Sequence, residues 1–300
     1  MKSNFSFLAD KYPDLEKLGV LAESYLHSDP NSCLFKLGAF AETIVNYMYD
    51  LDGLPPIPYE ENTLANKIRK LRQEGMLNPK IDNILYTIRT KRNIAVHAGH
   101  DSVKDCNTLL SMAHTLSVWF TQTYNDASLG ISERKERGGH AADNLKLSES
   151  ETRMIIDEQL RKVGWEADTE NLRYSKGTLP QKGRKIAIAE WPTDSSVCEW
   201  GSADYVLFCD LQLVGVIEAK AAHKDVSSVI DNQCRDYSKG IKEEHAQYVI
   251  SKWGTYKAPF LFATNGKPYL KQLETKSGVW FRDARQESNI PKALHGWISP

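Results

Sequence analysis

The apolar residues of this 300-residue chain change their period part-way along, and that change limits what the chain can fold into. Up to about residue 125 they recur every three or four positions. The pattern runs through LEKLGVLAESYL (15–26), CLFKLGAFAETIVNYMYDL (33–51), NTLANKIRKLRQEG (62–75), PKIDNILYTIRTKRNIAVHAG (79–99) and KDCNTLLSMAHTLSVWFTQTY (104–124). Such spacing predicts amphipathic helices. Several of them joined by short loops predict an all-α bundle over 1–126. The tract 127–147, rich in charge, glycine and small residues, reads as a linker or in part as a helix extension. From 148 the pattern shortens. Ser148 and Glu151 have capping-box spacing before a helix that ends at Gly164. Short β-rich runs follow: KIAIAEW (185–191), ADYVLFCD (203–210), LVGVIEAK (213–220) and PFLFAT (259–264). A helix is expected from about Val226 into the 240s. Residues 148–300 therefore read as a mixed α/β domain.

Composition removes several function classes. The chain is 41% hydrophobic and 26% charged, which suits folded cores. A net charge of -1 excludes a uniformly basic nucleic-acid binder but leaves room for a local basic groove, for which Lys176, Lys182, Arg184 and Lys185 are candidates. No run approaches the ~18 apolar residues of a membrane span, and the N-terminus lacks the features of a secretory signal. The five cysteines form no CxxC pair or zinc-type cluster, which fits reduced thiols in a cytoplasmic protein.

ADYVLFCDLQLVGVIEAK carries the most chemistry. A hairpin with a three-residue turn at Asp210-Leu211-Gln212 sets Cys209 against Leu213 and Asp204 against Glu218, with Lys220 on the face of Glu218. Like charges directly opposite on a sheet repel. A hard divalent cation turns that repulsion into a binding site, and Lys220 beside it supplies the positive charge that phosphodiester hydrolysis needs. A surface hairpin with chance alignment of polar residues is the bland alternative. Against it, the acids end nearly continuous apolar strands, where charge needs a reason.

Asp204 followed by Glu218-Ala219-Lys220 resembles the PD-(D/E)xK nuclease motif. The wider text resembles the N-terminal nuclease region of type I restriction endonuclease R subunits. Three further matches are Glu151-Thr152-Arg153, the Q-x-x-x-Y of Gln233 to Tyr237, and WFRDARQESNIPKALHGW (280–297). The resemblance covers about 148–300 and implies a restriction-endonuclease-like mixed sheet flanked by helices. It implies Asp204, Glu218 and the Ala219 carbonyl as Mg²⁺ ligands and Lys220 as the catalytic lysine. Glu151 is then a further carboxylate or simply the capping residue. Gln233 and Tyr237 support the site or hold DNA. The implied partners are double-stranded DNA and the modification and specificity subunits of a type I complex. The family's hairpin turn usually carries a glycine, which Asp210-Leu211 lacks. Thr264-Asn265-Gly266 also fits the family and reads physically as a turn. The family's ATP-driven motor has no counterpart here, since no G-x-x-x-x-G-K-[ST] occurs. The expectation is therefore a fragment, or a naturally short chain, for which ATP is not a cofactor.

In the helical half, Arg92 and His97 resemble the R-x(4–6)-H signature of HEPN-type domains, and the whole half is similar to the DUF4145 group. The resemblance implies a docking role or, less readily, a metal-independent ribonuclease. Five positions place the two residues about 140° apart on a helix, which is poor for joint action. Two alternatives to the nuclease remain: a non-catalytic docking or DNA-binding module, and a HEPN ribonuclease. His223 reads as a solvated loop residue, and Trp200 as a core residue or a base-stacking one.

Overall fold

A computed structural model describes residues 3–98, 102–126, 128–199, 201–220, 226–269, 271, 275 and 277–300, with the backbone alone at 97, 98, 143 and 228. The chain divides into two compact units, Met1–Leu145 and Lys146–Pro300.

The first unit is helical: α1 (Pro13–Tyr25), α2 (Pro30–Leu51), α3 (Leu64–Gln73), α4 (Pro79–Ala98), α5 (Val103–Tyr124) and α6 (Ile131–Asn144). Its starts follow from the sequence. Asp29, Thr63 and Ser102 each accept an N–H from the third residue of the helix they open. Proline occupies the first turn of α1 and of α2, where its missing N–H costs nothing. α2 packs against α4 and α5, with Leu37, Phe40 and Ile44 of α2, Ile81 and Leu85 of α4, and Leu109, Leu116 and Phe120 of α5 all buried. Two ion pairs lie inside: Lys91 with Asp105 at 2.8 Å, and Arg134 with Asp52 at 2.8 Å.

The expected linker over 127–147 is mostly helix α6, fastened to the bundle. Arg134 reaches Asp52, and the Trp119 indole N–H donates to the Gly138 carbonyl at 2.9 Å. The glycine that suggested looseness instead permits close approach: a Cβ on Gly138 would stand 3.2 Å from Thr123 Cγ2.

The second unit opens with α7 (Glu149–Lys162). A sheet of seven strands follows, β1 (Glu166–Ala167), β2 (Lys185–Pro192), β3 (Ser202–Cys209), β4 (Gln212–Ala219), β5 (Phe260–Thr264), β6 (Val279–Asp283) and β7 (Lys292–Leu294), in sequence order. β1–β2 and β4–β5 pair parallel, and the other neighbours antiparallel. Between β4 and β5 lie two short helices, α8 (Ser227–Ile230) and α9 (Gln233–Lys239), where the sequence predicts one longer helix. The interruption at Asp231–Asn232 starts a new helix with Gln233 as its first residue. Ile156 and Leu160 of α7 pack with Ala187, Tyr205, Leu207 and Ile217 on one face of the sheet. Ile230, Cys234 and Tyr237 pack with Val206, Val216 and Leu261 on the other. The result is a mixed sheet between helical layers, as the α/β reading expects.

Among the described residues no helix is long and apolar enough to cross a membrane.

Candidate active site at the ends of β2, β3 and β4

The β3–β4 hairpin reaches its register by an unexpected route. Cys209 pairs with Gln212, so the turn is the two residues Asp210 and Leu211, not three. Phe208 then pairs with Leu213 but Leu207 with Gly215, leaving Val214 as an extra residue. This β-bulge restores the lost step. Beyond it Val206 pairs with Val216 and Tyr205 with Ile217, and the next position sets Asp204 against Glu218. The missing turn glycine is accounted for by Asp210, at φ 55°, since aspartate tolerates the left-handed region better than most residues. Its carboxylate accepts the Gly183 N–H at 2.5 Å.

A third acid lies in the same row. Ala189 pairs with Tyr205 and Trp191 with Ala203, so Glu190 stands across from Asp204 on β2. Its φ of 52° is unusual for a non-glycine residue inside a strand. The row runs Glu190, Asp204, Glu218 across three strands. Three cations answer it. Arg153 of α7 lies 2.5 Å from Asp204 and 3.8 Å from Glu190. Arg173 lies 3.0 Å from Glu190, and Lys220 Nζ lies 2.5 Å from Glu218 Oε1. Asp204 Oδ2 also accepts the Ala219 N–H at 2.7 Å.

The helix after β4 closes the site from the other layer. Tyr237 of α9 hydrogen-bonds the Glu218 carboxylate, and burial with that charge holds its hydroxyl far above the usual tyrosine range. Gln233, one turn earlier, is buried on the same helix. The Cys234 thiol donates to the Phe262 carbonyl, and burial pushes its pKa up. Below Lys220, its backbone N–H donates to Thr264 O at 2.8 Å. Gly266 completes the following turn at φ 72°.

Burial and charge set this pair apart from the other acids of the sheet. Burial, then the neighbouring Glu218 charge, push the Asp204 carboxyl up to about 7, against the opposing pull of Arg153. Glu218 is 3% exposed, and its Oε2 is buried without a hydrogen-bond partner. An orphaned buried carboxylate oxygen beside a second acid fits a hard cation, and Mg²⁺ characteristically takes one or two carboxylates and keeps several waters. Among the described residues no three His, Cys, Asp or Glu side chains gather closely enough to hold a metal. Glu151 lies in the first turn of α7. Its Oε2 accepts the Ser148 N–H at 2.7 Å in the capping box, and Oε1 is buried and unpartnered.

Other expected residues fall elsewhere. Arg92 packs along α2: a Cβ on Gly38 would meet its Cγ at 2.3 Å, and its guanidinium lies 5.4 Å from the Phe35 ring. The side chain of His97, and His223 and Trp200 altogether, lie outside the described residues. In the basic cluster, Arg184 is already paired with Glu166 at 2.6 Å. Glu190 was missed, although KIAIAEW shows the same signal as Glu218, an acid at the end of an apolar strand.

Two family profiles match successive parts of the chain. A family profile described as the type I restriction enzyme EcoKI endonuclease subunit second domain matches residues 166–300. The domain of unknown function DUF4145 matches residues 21–153. The type I restriction enzyme EcoKI endonuclease subunit of Escherichia coli (strain K12) is 27% identical in an alignment of 418 residues covering all of this chain. The chain resembles part of a type I restriction endonuclease R subunit. It spans 35% of the length of that relative. No solved structure matches.

Proposed function

We propose that the second unit is a PD-(D/E)xK-type nuclease domain that hydrolyses phosphodiester bonds of foreign double-stranded DNA within a type I restriction system. The observation that carries this reading is the facing of Asp204 and Glu218 at one end of the sheet, with Lys220 on Glu218. Asp204 and Glu218, with the Ala219 carbonyl beside them, would hold Mg²⁺, and such an ion supplies an acidified water and charge neutralisation at the phosphate. Lys220 is placed to orient the attacking water or to stabilise negative charge on the phosphate. Tyr237 fixes the carboxylate of Glu218. Gln233 supports the same corner. Glu151, with one free oxygen, holds the first turn of α7, from which Arg153 projects.

The type I resemblance of its motifs implies, as partners of this unit, a translocating motor and the modification and specificity subunits. The helical unit, read as HEPN-like, is the docking element. A non-catalytic docking module is the second reading, and one observation favours it: Arg153 already satisfies Asp204.

Supercoiled plasmid and single-stranded RNA, each with and without Mg²⁺, test these readings with wild type, Asp204→Ala, Lys220→Ala and His97→Ala. Mg²⁺-dependent nicking lost with Asp204 and Lys220 supports the nuclease. RNA cleavage lost with His97 supports a HEPN ribonuclease instead. If both substrates survive, Mn²⁺ titration decides: binding that requires Asp204 and Glu218 keeps the nuclease site, and no binding leaves the docking module.

A further inference from the structure

The guanidinium of Arg153 occupies Asp204 Oδ1, an oxygen that a metal on this carboxylate would compete for. Both Asp204 oxygens are taken, Oδ2 by the Ala219 N–H and Oδ1 by Arg153 Nη2. A divalent ion and a guanidinium cannot share one oxygen without strong repulsion at contact distance. The arginine is also incompletely satisfied. It makes no two-pronged pair with any one carboxylate, the geometry that guanidinium groups favour. Instead it spreads over Asp204, Glu149 at 3.1 Å and Glu190 at 3.8 Å. Its Nε is buried without a partner.

The alternative carboxylate is already in place. Glu190 lies across from Asp204 in the same row, and its side chain is 37% exposed, so it carries charge at small cost. Its backbone is held at φ 52° within a strand, a conformation that persists only when its surroundings enforce it. Arg173 lies 3.0 Å from Glu190 Oε1, the oxygen that Arg153 approaches at 3.8 Å, and holds that carboxylate in place. Arg153 already lies within 3.8 Å of Glu190, so a short movement of its side chain would exchange Asp204 for Glu190.

We propose that Arg153 is the internal counter-ion of the cation-free site and passes from Asp204 to Glu190 when a divalent cation binds between Asp204 and Glu218. This rests on the reading of that pair as a cation site. It makes Arg153 and Glu190 positioning residues: they set how readily the acids release a protein cation for a metal. The charge on Asp204 stays neutralised in both states, so the two buried acids are never left facing each other alone.

Mn²⁺ binding to the full 300-residue chain, followed by electron paramagnetic resonance and calorimetry, tests the exchange. Arg153→Gln removes the competitor, and Mn²⁺ should bind about tenfold tighter or better. The same variant should melt lower without metal and gain a larger Mn²⁺-induced rise in Tm than wild type. Glu190→Gln removes the receiving carboxylate and should weaken Mn²⁺ binding several-fold. That loss should vanish when Arg153→Gln is also present, because nothing then needs receiving. Unchanged or weaker Mn²⁺ binding in Arg153→Gln overturns the proposal, as does a Glu190→Gln loss that persists in the double variant. If Arg153→Gln fails to fold, Glu190→Gln alone decides: an undiminished affinity overturns the exchange. Mn²⁺ binding that needs Asp204 but ignores Arg153 and Glu190 removes only this proposal. No Mn²⁺ binding by any variant removes the cation site as well.

Discussion

Asp204 on β3 accepts the backbone N–H of Ala219, the residue after Glu218 on β4, at 2.7 Å. The side chain of one acid thereby grips the main chain that carries the other, and their separation is not left to the sheet alone. The bond keeps the two acids close together in the fold.

Stability without metal should therefore fall as pH rises. The Asp204 carboxyl is raised from 3.8 to about 7 in the fold, chiefly by burial and then by Glu218. A raised acid binds more protons folded than unfolded between those values, so the slope is negative there and flat above about 7. The loss should be on the order of 4 kcal/mol. Denaturant melts from pH 4 to pH 8 measure it. Asp204→Asn should abolish most of the slope, and Mg²⁺ at pH 8 should restore wild-type stability. A slope that survives in Asp204→Asn assigns it to another group.

The hairpin makes a separate prediction. Val214 is the extra residue of the bulge, and the pairs beyond it have their own register. Removing Val214 should convert the bulge into regular pairing and leave Asp204 facing Glu218. Mn²⁺ affinity should stay within about threefold of wild type, with a stability loss of roughly 1 kcal/mol. Loss of Mn²⁺ binding on deleting Val214 would show that the bend of the bulge, and not the register, positions Glu218.

The same hairpin shows what the sequence could convey. Alternation of apolar residues set the two strands, and a three-residue turn supposed at Asp210-Leu211-Gln212 placed Asp204 against Glu218. The observed register at the acids is the expected one, reached through a two-residue turn and a bulge. Nothing in VLFCDLQLVGV separates those routes, because both shift the pairing by one step. Glu190 and Arg153 were hidden for other reasons. The first depends on a left-handed φ inside a strand, and the second on how α7 lies on the sheet; neither leaves a periodic trace. Helix α6 was obscured by composition, since its Gly138 and Arg134 acquire meaning only against Trp119 and Asp52. The helical bundle and strands β2 to β5 were plain from period alone, whereas β1, β6 and β7 were not, the first and last of these being too short for alternation to show.

In the first unit, the buried pair Lys91–Asp105 is 2.8 Å apart, with both side chains at most 3% exposed. Replacing one partner strands the other charge away from water, so Lys91→Met should cost about 3–5 kcal/mol in a denaturant melt. The double variant Lys91→Met, Asp105→Leu should recover most of that loss, because an apolar pair carries no desolvation cost. If the double variant is as unstable as the single one, the pair's partners, not its charges, hold α4 to α5.

Two glycines give opposite outcomes from the same substitution. A Cβ on Gly215 would stand 3.0 Å from the Phe260 carbonyl oxygen and 3.2 Å from the Phe262 ring, at the parallel seam of β4 and β5. Backbone cannot yield there cheaply, so Gly215→Ala should cost about 1–3 kcal/mol. The cost should reach the site, because that seam carries the Lys220 N–H to Thr264; Mn²⁺ binding should weaken along with stability. Gly139 lies in α6 with nothing within 4 Å of a Cβ. Gly139→Ala should stabilise the chain by roughly 0.5–1 kcal/mol through the backbone freedom it removes. Thermal melts of the two variants check both signs. A stabilised Gly215→Ala would mean that β4 and β5 do not approach as closely as the packing around Phe260 and Phe262 requires.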